Sequence, residues 1–473
     1  MSAPLPSPLV VVTLPASGSL REYSIVAKNA GATHLEVVGT RSPQIFSESD
    51  SALPVIASPR GASVDWVRAL EPRIVDLDFE LDDRFPTEKL SPETKIIRSA
   101  HDHDHTPDLG TLQHLLARLD EAGGDFLKIA TTVHRYRDVA RLEEFRQRAP
   151  SALTGRLAVV AMSPATSAGV QPSDPNRALL PWRSPLVYAC VDSADASAPG
   201  QWPLDRYPRG PEPALFGILG GPDLASESPR IHNARFREHG DAACYLSFPT
   251  DDLDDVWSLL RDFPIQGLSV TTPWKRAVAA RVDRLDDAAE AGGACNTIVR
   301  RGHTLFGTTT DAEGIVAGYP HLRGSRTATI VGSGGVVPAV IDACRRLEID
   351  RITVAARNEG ARELLAARHS IAAAPLADLP QHPAEVIFWA IPTDEAVPEL
   401  PPAGERAHAI DLRYGEKLRS LFLRRAAEVG YETMDGRPML DAQARCQAEL
   451  FREALSDEQR ASAKHGRDDS ARD

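Results

Sequence analysis

Lys128 lies inside Asp125-Phe126-Leu127-Lys128-Ile129-Ala130, an apolar run that reads as the middle of a buried strand. A charged amine is costly in such a strand unless it is paired or neutralised. Burial also lowers a lysine's pKa, which frees the amine to attack a carbonyl and form a Schiff base. Upstream, Ser99-Ala100-His101-Asp102-His103-Asp104-His105-Thr106-Pro107 sets histidines at another strand end. A lysine nucleophile and a histidine acid/base on neighbouring strands suit carbonyl chemistry with proton abstraction beside the iminium. Plainer readings exist for both: a lysine that snorkels at a strand end, and a solvated or metal-binding His/Asp loop. What positions these side chains decides between them.

The first two hundred residues carry short apolar runs: Leu9–Leu14, His34–Val38, Pro54–Ala57, Ile74–Leu81, Lys95–Ser99, Phe126–Thr131, Leu157–Ala161 and Leu186–Val191. Several are rich in Val and Ile and nearly continuous, as parallel strands covered on both faces are. Helix-like segments such as Leu112–Ala122 and Val139–Gln147 lie between them. About eight such strand–helix units make a TIM-type barrel, whose chemistry sits at the C-terminal strand ends. Lys128 and His101 both fall in or just after such strands. A Pro-, Gly- and Arg-rich stretch around Pro199–Pro213 reads as a linker. Ala214–Leu219 then opens a second α/β unit, Thr327–Val331 a third, and the charged stretch Ser456–Asp473 reads as a disordered tail.

Thr329-Ile330-Val331-Gly332-Ser333-Gly334-Gly335-Val336-Val337-Pro338 is a strand, a glycine turn and a helix start. Such a turn lets backbone amides approach a pyrophosphate at the helix N-terminus. Gly332, Ser333, Gly334 and Gly335 are therefore candidate cofactor contacts. The next strand, Arg351–Ala355, leads into Ala356-Arg357-Asn358, with no Asp or Glu placed to hold ribose hydroxyls. Arg357 suits the 2′-phosphate of NADP; an exposed loop arginine is the plain alternative.

A chain of 473 residues is too long for one compact core, so two or three domains are expected. With 42% hydrophobic and 25% charged residues the composition is that of a soluble globular protein. A formal net charge of −13 argues against nucleic acid or an anionic membrane as a partner, and an anionic substrate then needs local arginines and lysines. Five scattered cysteines offer neither a disulfide framework nor a zinc site, so no metal is expected. No run approaches membrane-spanning length and no signal-peptide pattern opens the chain, so a cytoplasmic location is expected.

The second half resembles shikimate dehydrogenase over about residues 213–455. Gly221-Pro222-Asp223-Leu224-Ala225-Ser226-Glu227-Ser228-Pro229 is similar to that family's opening substrate loop, which implies that Ser226 and Ser228 bind the substrate carboxylate. Ser269-Val270-Thr271-Thr272-Pro273-Trp274-Lys275 resembles its N-V-T-x-P-F-K signature, making Lys275 catalytic and Thr271 a substrate contact. Asn296-Thr297 matches its N-T motif, and Gly307-Thr308-Thr309-Thr310-Asp311 its G-x-N-T-D, making Asp311 the partner of Lys275. Asp411-Leu412-Arg413-Tyr414 resembles its D-x-x-Y turn, and Gly436-Arg437-Pro438-Met439-Leu440 with Gln443 its last substrate segment. Asn296, Tyr414 and Gln443 are thereby implied as substrate contacts. Departures are Ala225 for a histidine, Thr309 for an asparagine, Ala312 for a glycine and Pro338 for a small residue.

The first half, about residues 8–205, resembles type I 3-dehydroquinate dehydratase. Ser99-Ala100-His101-Asp102 with Thr106-Pro107 looks like its S-x-H-D…T-P segment, which implies His101 as general acid/base. Phe126-Leu127-Lys128-Ile129-Ala130 matches its V-K-I-A strand, which implies Lys128 as the imine-forming residue. Ser197-Ala198-Pro199-Gly200-Gln201 matches its closing S-A-P-G-Q loop, with Ser197 and Gln201 as substrate contacts. Glu36, Arg60 and Arg177 match further acidic and basic substrate-site residues. This half departs more: Val38 stands where the family has an arginine, and Arg60-Gly61-Ala62-Ser63-Val64 replaces a glutamate-containing E-G-G segment.

Together the resemblances imply a barrel over residues 1–208 and a substrate-binding lobe over 209–321 completed by 437–455. An NADP-binding Rossmann lobe over 322–436 and a tail over 456–473 complete the chain. They imply small-molecule substrates, dehydration of 3-dehydroquinate to 3-dehydroshikimate and NADPH-dependent reduction to shikimate. Alternatives are a barrel kept as a scaffold and a catabolic quinate/shikimate dehydrogenase using NAD. Oligomeric state, direct passage of intermediate and the choice of proton donor between Lys275 and Asp311 stay open.

Overall fold

The computed structural model describes residues 8–16, 19–39, 51–164, 179–180, 184–192, 194, 196–198, 201–204, 213–263, 265–393, 397–415 and 420–456. Arg177, the tail and most of the Pro199–Pro213 stretch lie outside the described residues. By contact, the residues up to Leu215 group with Phe236–Ile265 into one compact unit, and Phe216–Arg235 groups with Gln266–Ser456 into a second.

Each of the eight apolar runs of the first half is a strand. They are β1 (Leu9–Thr13), β2 (His34–Val38), β3 (Val55–Ser58), β4 (Ile74–Asp78), β5 (Lys95–Asp102), β6 (Phe126–Thr132), β7 (Leu157–Met162) and β8 (Leu186–Ala189). They form an eight-stranded sheet in the order β7-β6-β5-β4-β3-β2-β1-β8. The recorded pairings are all parallel. This is a nearly closed barrel. Its strands are apolar throughout because both faces are covered. Val11, Ile56, Ile74, Ile97, Ala158, Leu186 and Tyr188 form one cluster, and alternate residues Val12, Leu35, Val37, Val55, Ala57, Val75 and Leu77 form another. Ser19, Ser63 and Asp108 each accept a first-turn amide and start the helices Leu20–Ala30, Val64–Leu70 and Leu109–Glu121. β5 runs on to Asp102, so His101 sits within the strand.

Parallel register sets the site. Asp78 pairs with Ser99 across β4 and β5, and Ser99 with Lys128 and His101 with Ala130 across β5 and β6. Side chains alternate along a strand, so Asp76, Asp78, Ser99, His101 and Lys128 share one face.

The helix after β6, Tyr136–Arg148, takes its cap from far along the chain. The backbone N–H groups of Tyr136 and Arg137 donate to the two carboxylate oxygens of Asp255, each at 2.9 Å. The Arg137 side chain bonds Asp255 and Asp252, and the Tyr136 hydroxyl donates to the Pro249 carbonyl at 3.0 Å. Asp255 is buried, and it meets helix amides that have no intrahelical partner. Asp255→Ala is expected to lower stability by about 1–2 kcal/mol, the usual effect of a lost cap. A shift in denaturant midpoint at unchanged slope measures it; an unmoved midpoint would show that the cap carries no stability.

The next strands are β9 (Ala214–Gly220), β10 (Ala243–Pro249), β11 (Ile265–Val270), β12 (Arg284–Leu285), β13 (Thr297–Arg301) and β14 (Thr304–Thr308), in the sheet order β10-β9-β11-β13-β14-β12. The last are β15 (Thr327–Val331), β16 (Arg351–Ala356), β17 (Ala372–Pro375), β18 (Val386–Trp389), β19 (His408–Asp411) and β20 (Glu432–Met434). Their order, β17-β16-β15-β18-β19-β20, all parallel, is that of a doubly wound nucleotide-binding fold with its crevice beyond β15. Gly332 turns the chain there at φ +132°, where an added Cβ would meet the Ala390 carbonyl at 3.0 Å. Pro338 sits in the first turn of the helix Val337–Arg346, where a missing amide costs nothing. Among the described residues no helix is long and apolar enough to cross a membrane.

Candidate active sites

The barrel holds a cavity of about 460 Å³ whose lining includes Glu36, Arg60, His101, Lys128, Ser197 and Gln201. Lys128 is 4% exposed. Its Nζ donates to Asp76 Oδ2 at 2.7 Å and to the Tyr188 hydroxyl at 3.3 Å, and lies 4.3 Å from the centre of the Tyr188 ring. Asp76 is wholly buried; burial pushes its carboxyl pKa up, but Lys128 and Arg60 beside it prevail and hold it below the usual range. The lysine is therefore a buried, paired group and not a snorkelling one.

His101 Nδ1 lies 2.7 Å from Asp78 Oδ2. Burial, then Lys128 and Arg60, push the imidazole pKa down to about 4 against the pull of Asp78. The ring is thus neutral near pH 7 and able to accept a proton. Asp78 Oδ1 accepts the backbone N–H groups of Glu80 at 3.0 Å and Leu81 at 3.2 Å. Although burial raises its pKa, His101 and Arg60 hold it well below the carboxylate range.

The Arg60 guanidinium ion-pairs with Asp78, lies 3.7 Å from Asp76, and sets Nη1 3.3 Å from His101 Nδ1 and Nη2 3.3 Å from His101 Nε2. Its backbone has φ +51°, which side-chain-bearing residues rarely adopt, followed by Gly61 at φ +87°. The turn is held by Asp82, which accepts the Gly61 N–H at 2.9 Å and the Asp78 N–H at 3.1 Å.

Glu36 accepts hydroxyl hydrogens from Thr13 at 2.7 Å and Ser58 at 2.8 Å. The Ser197 hydroxyl lies 3.0 Å from Thr13 Oγ1, and the Ser197 N–H donates to Gln201 Oε1 at 2.7 Å. Gln201 Nε2 in turn holds the Ala189 carbonyl at 2.7 Å. The structure thus brings every described barrel residue singled out above to one cavity, with Val38 in its wall. Sequence reasoning missed Asp76, Asp78, Asp82 and Tyr188. Two acids at alternate positions of the apolar run Ile74-Val75-Asp76-Leu77-Asp78 were the available signal, since buried charges are paired.

In the second half, Lys275 opens the short helix Lys275–Ala279 and ion-pairs with Asp311, the first residue of the helix Asp311–Gly318. Asn296 Nδ2 donates to the other Asp311 oxygen at 2.7 Å, and Asn296 Oδ1 accepts the Thr310 N–H at 2.9 Å. Asn296 is itself braced by Gln447, whose amide donates to the Asn296 carbonyl at 3.3 Å and to Thr297 Oγ1 at 2.9 Å. Gln447 carried no motif and was missed. Ser226 Oγ donates to Ser228 Oγ at 3.0 Å and is hydrogen-bonded to the Tyr414 hydroxyl, which brings those three residues together. Thr271 follows β11, its N–H on the Leu219 carbonyl at 2.9 Å. Gln443 lies on the helix Arg437–Glu453 where it crosses Gly314; an added Cβ there would come 3.1 Å from Gln443 Cβ. Asp411 is buried and accepts from Arg413 at 2.9 Å and Ser420 at 2.6 Å, which fixes the turn that presents Tyr414. Cys295 is a buried thiol that burial pushes up to about 12, consistent with a packing role.

At the nucleotide crevice, the turn Gly332–Gly335 leads from β15 into the helix Val337–Arg346. Arg357 is exposed at the end of β16, just before the helix cap Asn358. Arg362 is buried, donates to the Ala356 carbonyl at 3.2 Å, and steadies the strand end that carries Arg357.

Comparison with known proteins finds two families along the chain. Residues 58–207 match the family model for type I 3-dehydroquinase, and residues 218–298 that for the shikimate dehydrogenase substrate binding domain. The chain is 27% identical over 420 residues to the shikimate biosynthesis protein AroDE of Chlamydia trachomatis, covering 84% of this chain and 82% of that one. It is 29% identical over 391 residues to the chloroplastic bifunctional 3-dehydroquinate dehydratase/shikimate dehydrogenase of Arabidopsis thaliana, covering 76% and 63%. To a shikimate dehydrogenase (NADP(+)) of Trichormus variabilis it is 31% identical over 252 residues, covering 48% of this chain and 86% of the relative. With its second half aligned along most of such relatives and its first half matching the barrel family, the chain belongs to the shikimate dehydrogenase family, in the bifunctional form that carries a type I 3-dehydroquinase ahead of it.

Proposed function

We propose that the chain dehydrates 3-dehydroquinate to 3-dehydroshikimate in the barrel and reduces that ketone to shikimate with NADPH in its second half. The observation that carries this is the pairing of Lys128 and His101, each bonded to its own buried carboxylate, on one wall of the barrel cavity. The Lys128 ammonium gives its proton to water, the free amine attacks the substrate carbonyl, and loss of water gives an iminium. His101 removes a proton from the adjacent carbon; the hydroxyl β to the iminium leaves as water, taking the proton back from His101. Hydrolysis of the conjugated imine releases the enone and frees the amine. Glu36, Arg60, Ser197 and Gln201 bind the substrate's hydroxyls and carboxylate, a role extended to Arg177. With Val38 in the wall, carboxylate binding has one arginine fewer than the family pattern, which raises the Michaelis constant.

In the second half NADPH supplies a hydride to the ketone carbon. Lys275, paired with Asp311, donates to the ketone oxygen and stabilises the developing alkoxide. Ser226, Ser228 and Tyr414 hold the substrate carboxylate end, and Thr271, Asn296 and Gln443 its ring hydroxyls. The turn Gly332–Gly335 with Ser333 and Gly334 fits a pyrophosphate, and Arg357 fits the 2′-phosphate. We place the parts at residues 1–208, 209–321 with 437–455, and 322–436, with a tail over 456–473.

One assay tests the whole reading. Purified protein given 3-dehydroquinate alone accumulates enone absorbance; with NADPH added, the enone falls as NADPH is consumed. Absence of enone would remove the dehydratase, and consumption of NADH in preference to NADPH would remove the cofactor assignment. Arg357→Ala is expected to raise the Michaelis constant for NADPH about 10–100-fold, the loss of one hydrogen bond between charged groups. The constant for NADH stays unchanged; equal losses with both would make Arg357 structural.

A further inference from the structure

Strand β4 supplies two inward carboxylates, and each engages a different member of the barrel's reactive pair. Asp76 bonds Lys128, and Asp78, on the same face two residues later, bonds His101 Nδ1 at 2.7 Å. We propose that Asp78 is the positioning residue of the dehydratase, fixing the tautomer and orientation in which His101 removes and returns the proton. This rests on the Schiff-base reading and deepens it.

A histidine can accept a proton at one ring nitrogen only while the other carries its own, and the partner of that second nitrogen decides which is which. With Asp78 accepting the Nδ1 hydrogen, the Nε2 lone pair is the basic position. The carboxylate is suited to this because it is itself immobile. One oxygen is occupied by the Glu80 and Leu81 amides, and the Asp78 amide is anchored on Asp82. Asp82 ties the same point to Gly61, and hence to the turn that bears Arg60. So many donors keep Asp78 ionised; it holds the His101 proton without taking it, and it stabilises the imidazolium that forms when Nε2 is protonated. Arg60 opposes that charge, with a guanidinium nitrogen 3.3 Å from Nε2. Substrate must draw Arg60 aside before the base acts, and Asp78 keeps the ring in place while it does.

The test compares wild type, Asp78→Asn, His101→Ala and the double variant, in dehydration rate and in borohydride trapping of substrate on Lys128 read by mass spectrometry. Asp78→Asn is expected to lower kcat about 10–100-fold, as loss of a group that orients an imidazole does. Lys128 trapping stays near wild type, and Asp78→Glu restores most of the rate. In the His101→Ala background the same change costs nothing further, because residues acting as a unit are not additive. An unchanged kcat in Asp78→Asn overturns the proposal. So does a further loss in the His101→Ala background, or loss of trapping, either of which places Asp78 with Lys128 or with the fold. Failure of wild type to trap at Lys128 would sink the Schiff-base reading as well, whereas normal trapping with a silent Asp78→Asn sinks only this inference.

Discussion

Lys128→Ala is expected to lower dehydration of 3-dehydroquinate by on the order of 10⁴–10⁶-fold, the scale on which enzymes lose rate when a covalent nucleophile is removed. Reduction of 3-dehydroshikimate by the same preparation should continue, which makes the second activity an internal control for folding. The loss has a structural companion. Lys128 Nζ and Asp76 are 2.7 Å apart and both buried, so the substitution strands a carboxylate. Removing one partner of a buried pair typically costs about 3–5 kcal/mol. Arg60, 3.7 Å from Asp76, offsets part of that, and protonation of Asp76 offsets more. The variant should therefore melt earlier than wild type. Retained dehydration, with borohydride adducts on other lysines, would overturn the assignment of Lys128.

Lys275→Ala is expected to show the complementary pattern, with reduction falling about 10²–10⁴-fold, the range for loss of a positioned proton donor, and dehydration unchanged. Its amine ion-pairs with Asp311, whose second oxygen is held by Asn296. Lys275 is part-exposed, so the stability cost is smaller than at Lys128. Asp311→Asn separates the roles of the pair. If the lysine delivers the proton and the carboxylate only orients it, Asp311→Asn falls by less than Lys275→Ala. A larger loss in Asp311→Asn would make the carboxylate the donor. Normal reduction in both variants would place the chemistry elsewhere.

The barrel was legible because strands covered on both faces leave an uninterrupted apolar signature, and all eight runs proved to be strands. β15 and β16 were legible for the same reason, and their glycine turn because backbone approach needs a missing Cβ. The reactive lysine stood out because its charge interrupts an apolar run. By the same logic Asp76 and Asp78 interrupt Ile74–Asp78, yet their partners lie one and two strands away, in a register that sequence does not state. Arg60 was legible as a residue type, but its turn depends on Asp82, which reads as an ordinary loop acid. Gln447 was invisible because a glutamine inside an amphipathic helix resembles a solvated one until the sheet it braces is seen. Asp255 was hidden more deeply, since it caps a helix that begins 119 residues earlier.

That separation has a consequence for synthesis. The helix Tyr136–Arg148 leaves the ribosome well before the Asp255 part of its cap exists. At roughly 5–20 residues per second, the 119-residue separation of Tyr136 and Asp255 takes about 6–24 s to make. Throughout that interval the amides of Tyr136 and Arg137 have only water, and the segment just after the strand of Lys128 is unfinished. The nascent barrel is thus complete in sequence before it is complete in structure. It waits for a stretch of chain that belongs, by family, to the next enzyme.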